Sequence, residues 1–246
     1  MKFRTEGLII KEQNIGEQDK LLHVLTKSNG VVKAFARGAK NLKNGKSAAT
    51  ALLSYSMLTF HPGKNSLSVS DARTIRIFSK LRVDFKKMCL AQYFCELALT
   101  ACPQEKPAGK YLSLILNALY LIDEGKRQEE LVKPCLEMRL SAMAGYLPDL
   151  IMCKGCGVYT APVMYFMPKT GTIECENCRS AGDGAIPLTE SALTALRHTV
   201  YADDNKLFSF SLGEEGLRLL NRASEAYLQY RFEKEFKTLH FYKEIT

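Results

Sequence analysis

The sequence has no apolar run of the ~20 residues that a membrane-spanning helix needs. It also contains no phosphate-binding glycine loop, no G-x-G-x-x-G motif after a strand and no H-E-x-x-H motif. These absences leave a membrane protein, a nucleotide hydrolase and a zinc protease without sequence support. The first residues, MKFRTEG, lack the apolar segment of a signal peptide, so we expect a cytoplasmic protein.

Histidine is scarce, and the four histidines are scattered: His23, His61, His198 and His240. A cysteine nucleophile such as Cys102 would need a thiolate, but this residue ends an apolar helical segment, where burial raises a thiol pKa. We therefore expect no active site and no enzymatic turnover.

Half of the eight cysteines form two C-x2-C pairs, Cys153/Cys156 and Cys175/Cys178, which are separated by eighteen residues. This spacing predicts one zinc ion held by four thiolates, with two disulfides or four free thiols as the alternatives. Four thiolates leave no open position for water, so the predicted zinc is structural. The other cysteines fall in apolar helical patterns and are expected to be small buried hydrophobes: Cys89, Cys95, Cys102 and Cys135.

The segment between the cysteine pairs predicts a zinc ribbon. Residues 158–168 have the pattern of a strand, and residues 168–173 that of a turn leading into a second strand. We expect zinc to replace the hydrophobic core that this segment lacks.

Positive charge is concentrated in the N-terminal third. The net charge is +8, yet residues 1–80 alone carry fourteen basic and five acidic side chains, a net charge of +9. The remaining 166 residues carry 20 basic and 21 acidic groups. This asymmetry favours a polyanionic partner, with nucleic acid ahead of an anionic membrane surface.

Five short strands are predicted in the same third of the chain, at residues 3–10, 21–26, 31–36, 52–60 and 66–78. Turn signals at 28–30 and 61–65 separate them. Five strands in about 80 residues suit an oligonucleotide-binding (OB-fold-like) barrel, and an SH3-like barrel fits the pattern as well.

The predicted loop at 37–46 has four basic residues and no acidic one. A solvated loop without a partner is one interpretation, and phosphate binding by the loop and its flanks is the other. The candidate DNA-binding residues are Lys33, Arg37, Lys40, Lys43, Lys46 and Arg73. Of the nearby aromatics, Phe35, Tyr55 and Phe60, we expect most to be core and one or two to reach a base.

After residue 78 the apolar period changes to that of helices, predicted at 84–100, 110–123, 128–146, 189–201 and from 211 onward. Pro134 places the start of the third helix near residue 133 or kinks it. The predicted fold is a multidomain α+β protein with an OB-fold-like barrel (1–80), a helical body in two parts (81–150 and 183–246) and a zinc ribbon inserted between them (151–182).

Several stretches together resemble the bacterial RecO family of recombination mediators. They are Gly16-Glu-Gln-Asp-Lys20, Ala36-Arg-Gly-Ala-Lys40, Gly145-Tyr-Leu-Pro-Asp-Leu150 directly before Cys153, and Leu239-His-Phe241. Each stretch is weakly specific, but their order and spacing extend over the whole chain.

The resemblance implies a protein that binds single- and double-stranded DNA and anneals complementary strands. It also implies association with RecR, replacement of single-strand-binding protein by RecA, and a bacterial, nucleoid-associated location. The acidic C-terminal tail of single-strand-binding protein is then expected to bind the helical body, near Arg127, Lys133 and Arg139. The rival interpretation is a zinc-ribbon nucleic-acid-binding or transcription-associated protein, although the ribbon has no excess of positive charge.

Overall fold

The computed structural model describes residues 2–41, 45–63, 66–179 and 184–245. The chain forms two compact units, one of Met1–Glu124 with Phe236–Thr246 and one of Gly125–Glu235. These units cut across the boundaries at 80, 150 and 182, because two helices that follow the barrel belong with it. None of the helices in the described ranges is long and apolar enough to cross a lipid bilayer.

The N-terminal unit contains a closed barrel of five strands, which confirms the predicted fold class. The strands are β1 (Phe3–Ile15), β2 (Asp19–Thr26), β3 (Gly30–Ala36), β4 (Ser54–Pro62) and β5 (Leu67–Ile77). They follow the order β1-β2-β3-β5-β4, and β4 closes the barrel against β1. All neighbours are antiparallel except β3 and β5, which pair in parallel at Ala34–Leu67 and Phe35–Ser68.

The strand β1 is longer than predicted because it pairs with two other strands, β4 and β2. Its first half pairs with β4, and after a bulge between Ile9 and Lys11 it continues along β2 as far as Ile15. Gly7 lies where both neighbours pair with β1, and a Cβ at this position would stand 2.6 Å from Cγ1 of Val24. Only glycine allows this close approach.

Apolar side chains fill the barrel, because every second side chain of each strand points inward. The interior is built from Ile9, Leu22, Val24, Val32, Leu58, Phe60 and Val69, among others. The intervening residues form the outer face, where the charged side chains lie.

Seven helices are found in the described ranges: α1 (Lys46–Ala49), α2 (Phe85–Ala101), α3 (Gly109–Asp123), α4 (Glu129–Met143), α5 (Glu190–Tyr201), α6 (Glu214–Phe232) and α7 (Lys237–Glu244). The C-terminal helix α7 returns to α2, where Glu96 accepts hydrogen bonds from the backbone N–H and the hydroxyl of Thr238. The Arg76 guanidinium fastens β5 to α3, stacking at 4.6 Å on the Tyr120 ring and pairing with Glu124 at 2.9 Å.

The second unit contains a four-stranded sheet of order β6-β8-β7-β9. Its strands are β6 (Asp149–Cys153), β7 (Met164–Met167), β8 (Thr172–Cys175) and β9 (Ile186–Leu188). The predicted first ribbon strand, 158–168, is therefore only four residues long. The ribbon also has a core, contrary to expectation, because Leu150, Phe166 and Ile173 share a buried cluster with α4, α5 and α6.

The helix α4 begins at Glu129, not near residue 133, and Pro134 lies inside it. Proline has no N–H to donate to the carbonyl four residues earlier. That carbonyl belongs to Glu130, and it accepts a hydrogen bond of 2.6 Å from Nδ2 of Asn221 on α6. A side chain of another helix thus replaces the missing backbone donor.

Candidate metal centre and nucleic-acid interface

The four cysteines of the two C-x2-C pairs come together in the structure. Cys153 ends β6 and Cys175 ends the neighbouring strand β8. The four sulfurs lie within 4.8 Å of one another, and the Cys156 and Cys175 sulfurs are 3.7 Å apart. Zinc–sulfur bonds of ~2.3 Å in a tetrahedron place sulfurs about 3.8 Å apart. The cluster therefore has the size and donor set for one metal ion.

The backbone around the cluster is shaped for this approach. Gly155 leaves room for the second cysteine pair, since a Cβ there would lie 2.7 Å from Cβ of Cys178. The Cys175 N–H donates to the Cys153 sulfur at 3.3 Å. Burial raises the pKa of the Cys153 thiol, but backbone N–H donors, the first from Cys175, outweigh it and lower that pKa to about 6.

Protonation of the cluster is uneven without a cation. Hydrogen bonds with the Cys156 and Cys175 thiols raise the pKa of Cys178 to about 12. A bound cation would favour the thiolate form of all four ligands.

Arg197 of α5 was not identified from the sequence, yet it holds the first cysteine pair against the helices. Its guanidinium donates to three backbone carbonyls, those of Leu150 at 2.7 Å, Ile151 at 2.9 Å and Tyr159 at 2.6 Å. It also stacks on the Tyr159 ring at 4.0 Å. No sequence signal reveals such a residue, because an arginine bonded to distant carbonyls has no spacing rule.

The four other cysteines are all buried, as the apolar pattern indicates. Burial raises the pKa of Cys95 and of Cys102 to about 12. A thiol with that pKa carries almost no thiolate at neutral pH, so Cys102 is unsuited to nucleophilic chemistry.

A row of basic side chains crosses the outer face of the barrel. His23 on β2 lies directly opposite Lys11 of β1 and Lys33 of β3, so the three residues share one face. Both lysines are exposed. Burial, followed by the charges of Lys33 and Lys11, lowers the pKa of His23 below its usual 6.5. The cationic row includes Lys11, which is not among the DNA-binding residues predicted from the sequence.

A cleft of about 830 Å³ opens beside this row. Its lining includes His23, Lys33, Asn29, Gln104 and Glu105. One side of the cleft is lined by β3, and the other by the segment between α2 and α3.

The loop after β3 continues the basic surface. Arg37 is exposed directly beyond the end of the strand. The loop rests on the turn between β1 and β2, where Asp19 accepts the Gly38 N–H at 2.8 Å and the Gly16 carbonyl accepts Lys40 Nζ at 3.2 Å. Lys40 is thus half-buried and hydrogen-bonded, and an acidic residue lies beside the loop although none occurs within it.

The remaining DNA-binding candidates lie on other elements or outside the described residues. Lys46 begins the short helix α1, and Lys43 lies outside the described residues. Arg73 is on β5, opposite Met57 of β4. Lys33 is on β3 and Arg37 directly follows that strand.

The chain matches two family models that together span almost all of it. "Recombination protein O N terminal" matches residues 1–78, and "Recombination protein O C terminal" matches residues 82–240. The chain belongs to the RecO family. Similar RecO proteins, each named DNA repair protein RecO, include that of Acetivibrio thermocellus, 31% identical over 99% of this chain and 97% of its own length. That of Symbiobacterium thermophilum is 30% identical over 97% of this chain and 96% of its own length.

Two of the three basic residues predicted to bind a peptide, Lys133 and Arg139, are occupied within the protein, whereas the third, Arg127, is half-buried. Lys133 is buried and pairs with Glu137 at 2.9 Å and Glu225 at 2.7 Å. Arg139 is also buried and donates to the carbonyls of Thr199 at 3.0 Å and Ala202 at 2.6 Å, at the end of α5. Both cations are satisfied within the protein, so neither is available to a carboxylate from a partner.

Proposed function

We propose that this protein is a recombination mediator in DNA repair. It binds single- and double-stranded DNA, anneals complementary strands, and acts with RecR to load RecA onto DNA coated by single-strand-binding protein. The family likeness supports this choice of partners, and the proposal includes a location on the bacterial nucleoid.

The observation that carries DNA binding is the basic surface of the barrel, made of Lys11, His23, Lys33 and Arg37. Lysine and arginine at such a surface neutralise phosphates without reading sequence. Annealing needs both strands to be screened while their bases remain free to pair. A convex barrel with cations on its outer face meets that requirement.

The test is strand annealing and DNA binding by a variant that lacks two of these charges. We expect Lys33→Ala with Arg37→Ala to flatten the plot of log affinity against log salt by about 1.4 for single strands, ~0.7 per lost contact. Annealing of complementary oligonucleotides, with and without single-strand-binding protein, should slow in parallel.

A charge-matched control is Lys154→Ala with Lys169→Ala, two exposed lysines of the ribbon. If DNA affinity falls in this control but not in the barrel variant, the zinc ribbon binds the nucleic acid and the rival interpretation is correct. The described part of the ribbon offers little for that alternative, because Arg179 already stacks on the Tyr165 ring at 4.5 Å.

We also propose that Cys153, Cys156, Cys175 and Cys178 bind one structural Zn²⁺. The sulfur separations support a tetrahedral ion, and four thiolate ligands favour zinc over harder cations. Metal analysis of the purified protein should return one zinc per chain.

The acidic tail of single-strand-binding protein remains part of this proposal, without an assigned surface. The tail peptide is expected to bind the helical body, residues 81–150 and 183–246, and not the barrel. Anisotropy with a labelled tail peptide and full-length protein measures this binding, and competition by DNA would instead point to the barrel.

A further inference from the structure

The side of β3 that carries Lys33 also carries an aromatic ring. Side chains of a strand alternate, so Phe35 lies on the same face as Lys33, ~7 Å from it along the strand. Arg37 follows directly after Ala36, the last residue of β3. Lys33 and Arg37 are exposed, whereas Phe35 is half-buried. The ring is therefore flanked along the chain by one cation on the strand and one just beyond its end.

The surroundings of Phe35 leave part of its ring accessible. Its cross-strand neighbours are Leu21 on β2 and Ser68 on β5. Ser68 is small, and the ring is not part of the barrel core, which takes Val32, Ala34 and Ala36 from the same strand. Among the residues that the structure describes, no aromatic ring contacts Phe35.

The other two aromatics near the basic surface are occupied within the protein. Phe60 is fully buried and stacks on Phe3 with ring centroids 5.1 Å apart. The Tyr55 hydroxyl donates to the Glu6 carboxylate at 2.8 Å. Of the three aromatics considered from the sequence, Phe35 alone shares a face with the cationic row.

We propose that Phe35 is a stacking platform for a base of single-stranded DNA, with Lys33 and Arg37 binding the flanking phosphates. This inference rests on the proposed function, and it adds that the protein prefers single-stranded DNA to duplex DNA. An unpaired base exposes its face to an aromatic side chain, whereas the bases of a duplex are already stacked on each other. A duplex would then bind through its phosphates alone.

The first test compares Phe35→Leu with wild-type protein on a single-stranded oligonucleotide and on its duplex. We expect affinity for the single strand to fall roughly 5- to 150-fold, the range for one lost base stack. Duplex affinity and the salt slope should stay unchanged, since no phosphate contact is lost. Phe35→Tyr, which keeps the ring, should restore single-strand binding, and thermal unfolding would show that each variant is folded.

The second test uses the absence of tryptophan from the chain. Phe35→Trp introduces one indole, whose fluorescence should be quenched when a base stacks on it. We expect quenching by single-stranded DNA and little response to duplex. Phe241→Trp is the control, because Phe241 is 47% exposed in the same unit but lies on α7, where its ring packs edge-on against Phe85 at the start of α2.

The outcomes separate this inference from the proposed function. Unchanged single-strand affinity in Phe35→Leu, with a loss in Lys33→Ala/Arg37→Ala, would overturn the stacking role and leave DNA binding by the barrel intact. Equal loss on single strands and duplex, or equal quenching in both tryptophan variants, would also overturn it. If the double charge variant binds DNA like wild type, the proposed interface itself is wrong.

Discussion

At the residue scale, His23 is held neutral by its surroundings. Burial, followed by the charges of Lys33 and Lys11, lowers its pKa below 6.5. Because the folded pKa lies below that of the unfolded chain, acid favours the unfolded state. This contribution to stability is complete above pH 6.5 and is lost as the pH falls toward the lower folded value.

A phosphate beside His23 should reverse that balance, since an anion favours the imidazolium form. We expect affinity for single-stranded DNA at constant salt to rise as the pH falls from about 7.5, approaching about 3- to 10-fold once the pH is well below the folded pKa of His23, as a pKa rise of about one half to one unit implies. The variant His23→Gln should lose this pH dependence. His240→Gln is the control, and an unchanged pH profile in His23→Gln would place the phosphate away from the row.

Gly155 presents a different constraint at the same scale, because the second cysteine pair fills the space where its side chain would be. A Cβ there would meet Cβ of Cys178 at 2.7 Å and its sulfur at 2.9 Å. The two pairs must therefore separate if the residue is enlarged.

We expect Gly155→Ala to weaken metal binding by about 10- to 100-fold, as changes next to a metal site do. Competition with a chromophoric chelator measures this affinity. Gly45→Ala is the control, since a Cβ at Gly45 meets nothing within 4 Å. Equal metal affinity in both variants would show that the pairs tolerate separation.

At the scale of elements, α4 and α6 form a buried polar interface around Pro134. Asn221 donates to the Glu130 carbonyl, to which Pro134 has no N–H to donate, and its Oδ1 accepts from Lys133 Nζ at 3.3 Å. Burial lowers the pKa of Lys133, but the charges of Glu137 and Glu225 outweigh it and raise that pKa. Ser224 also donates to Glu137, so the side chains form one connected network.

The variant Asn221→Ala should lower the free energy of unfolding by about 0.5–1.5 kcal/mol, because it removes the hydrogen bonds of the Asn221 amide with the Glu130 carbonyl and with Lys133 Nζ. In a Pro134→Ala background the helix supplies its own N–H to Glu130, so the effect of Asn221→Ala should shrink by about 1 kcal/mol. Denaturant unfolding of the wild-type protein, the two single variants and the double variant measures the coupling between Asn221 and Pro134. Additive effects would mean that Asn221 does not compensate for the proline.

At the scale of the whole molecule, the four-cysteine cluster and the helices of the second unit share a core. Cys153 and Cys175 are members of the same buried cluster as Leu196, Leu220 and Tyr227 of the helices. The ribbon is therefore part of this unit's folding, whereas the barrel has its own interior.

Losing a metal ligand should consequently destabilise residues 125–235 and spare the barrel. We expect Cys175→Ser, or treatment with a strong chelator, to lower the unfolding temperature of this unit, because the binding free energy of a structural metal contributes to folding. Hydrogen exchange resolved by segment distinguishes the units. Cys89→Ser, outside the cluster, is the control, and uniform loss of protection through the barrel would contradict the separation.

The sequence by itself determined the features that depend on local spacing. Two C-x2-C pairs, alternating apolar residues in the first 80 positions and helical periods after them indicate the cysteine cluster, the barrel and the helices. Their order was enough to resemble the RecO family, and the family models confirm it. Local rules were sufficient because turn geometry and side-chain alternation depend on neighbours in the chain.

Tertiary structure alone decided which of these residues meet. Strand register places Lys11 beside His23 and Lys33, although ten or more residues separate each from the next in sequence. The same register turns Phe60 into the core and Phe35 onto the cationic face, and it places Arg73 on β5 opposite Met57. Asn221 makes Pro134 compatible with a helix, and Arg197 binds three carbonyls of the ribbon segment. Packing and strand register set each of these long-range contacts. No local sequence pattern encodes which distant residue will pack on a given face, pair with a given charge or bind a given carbonyl.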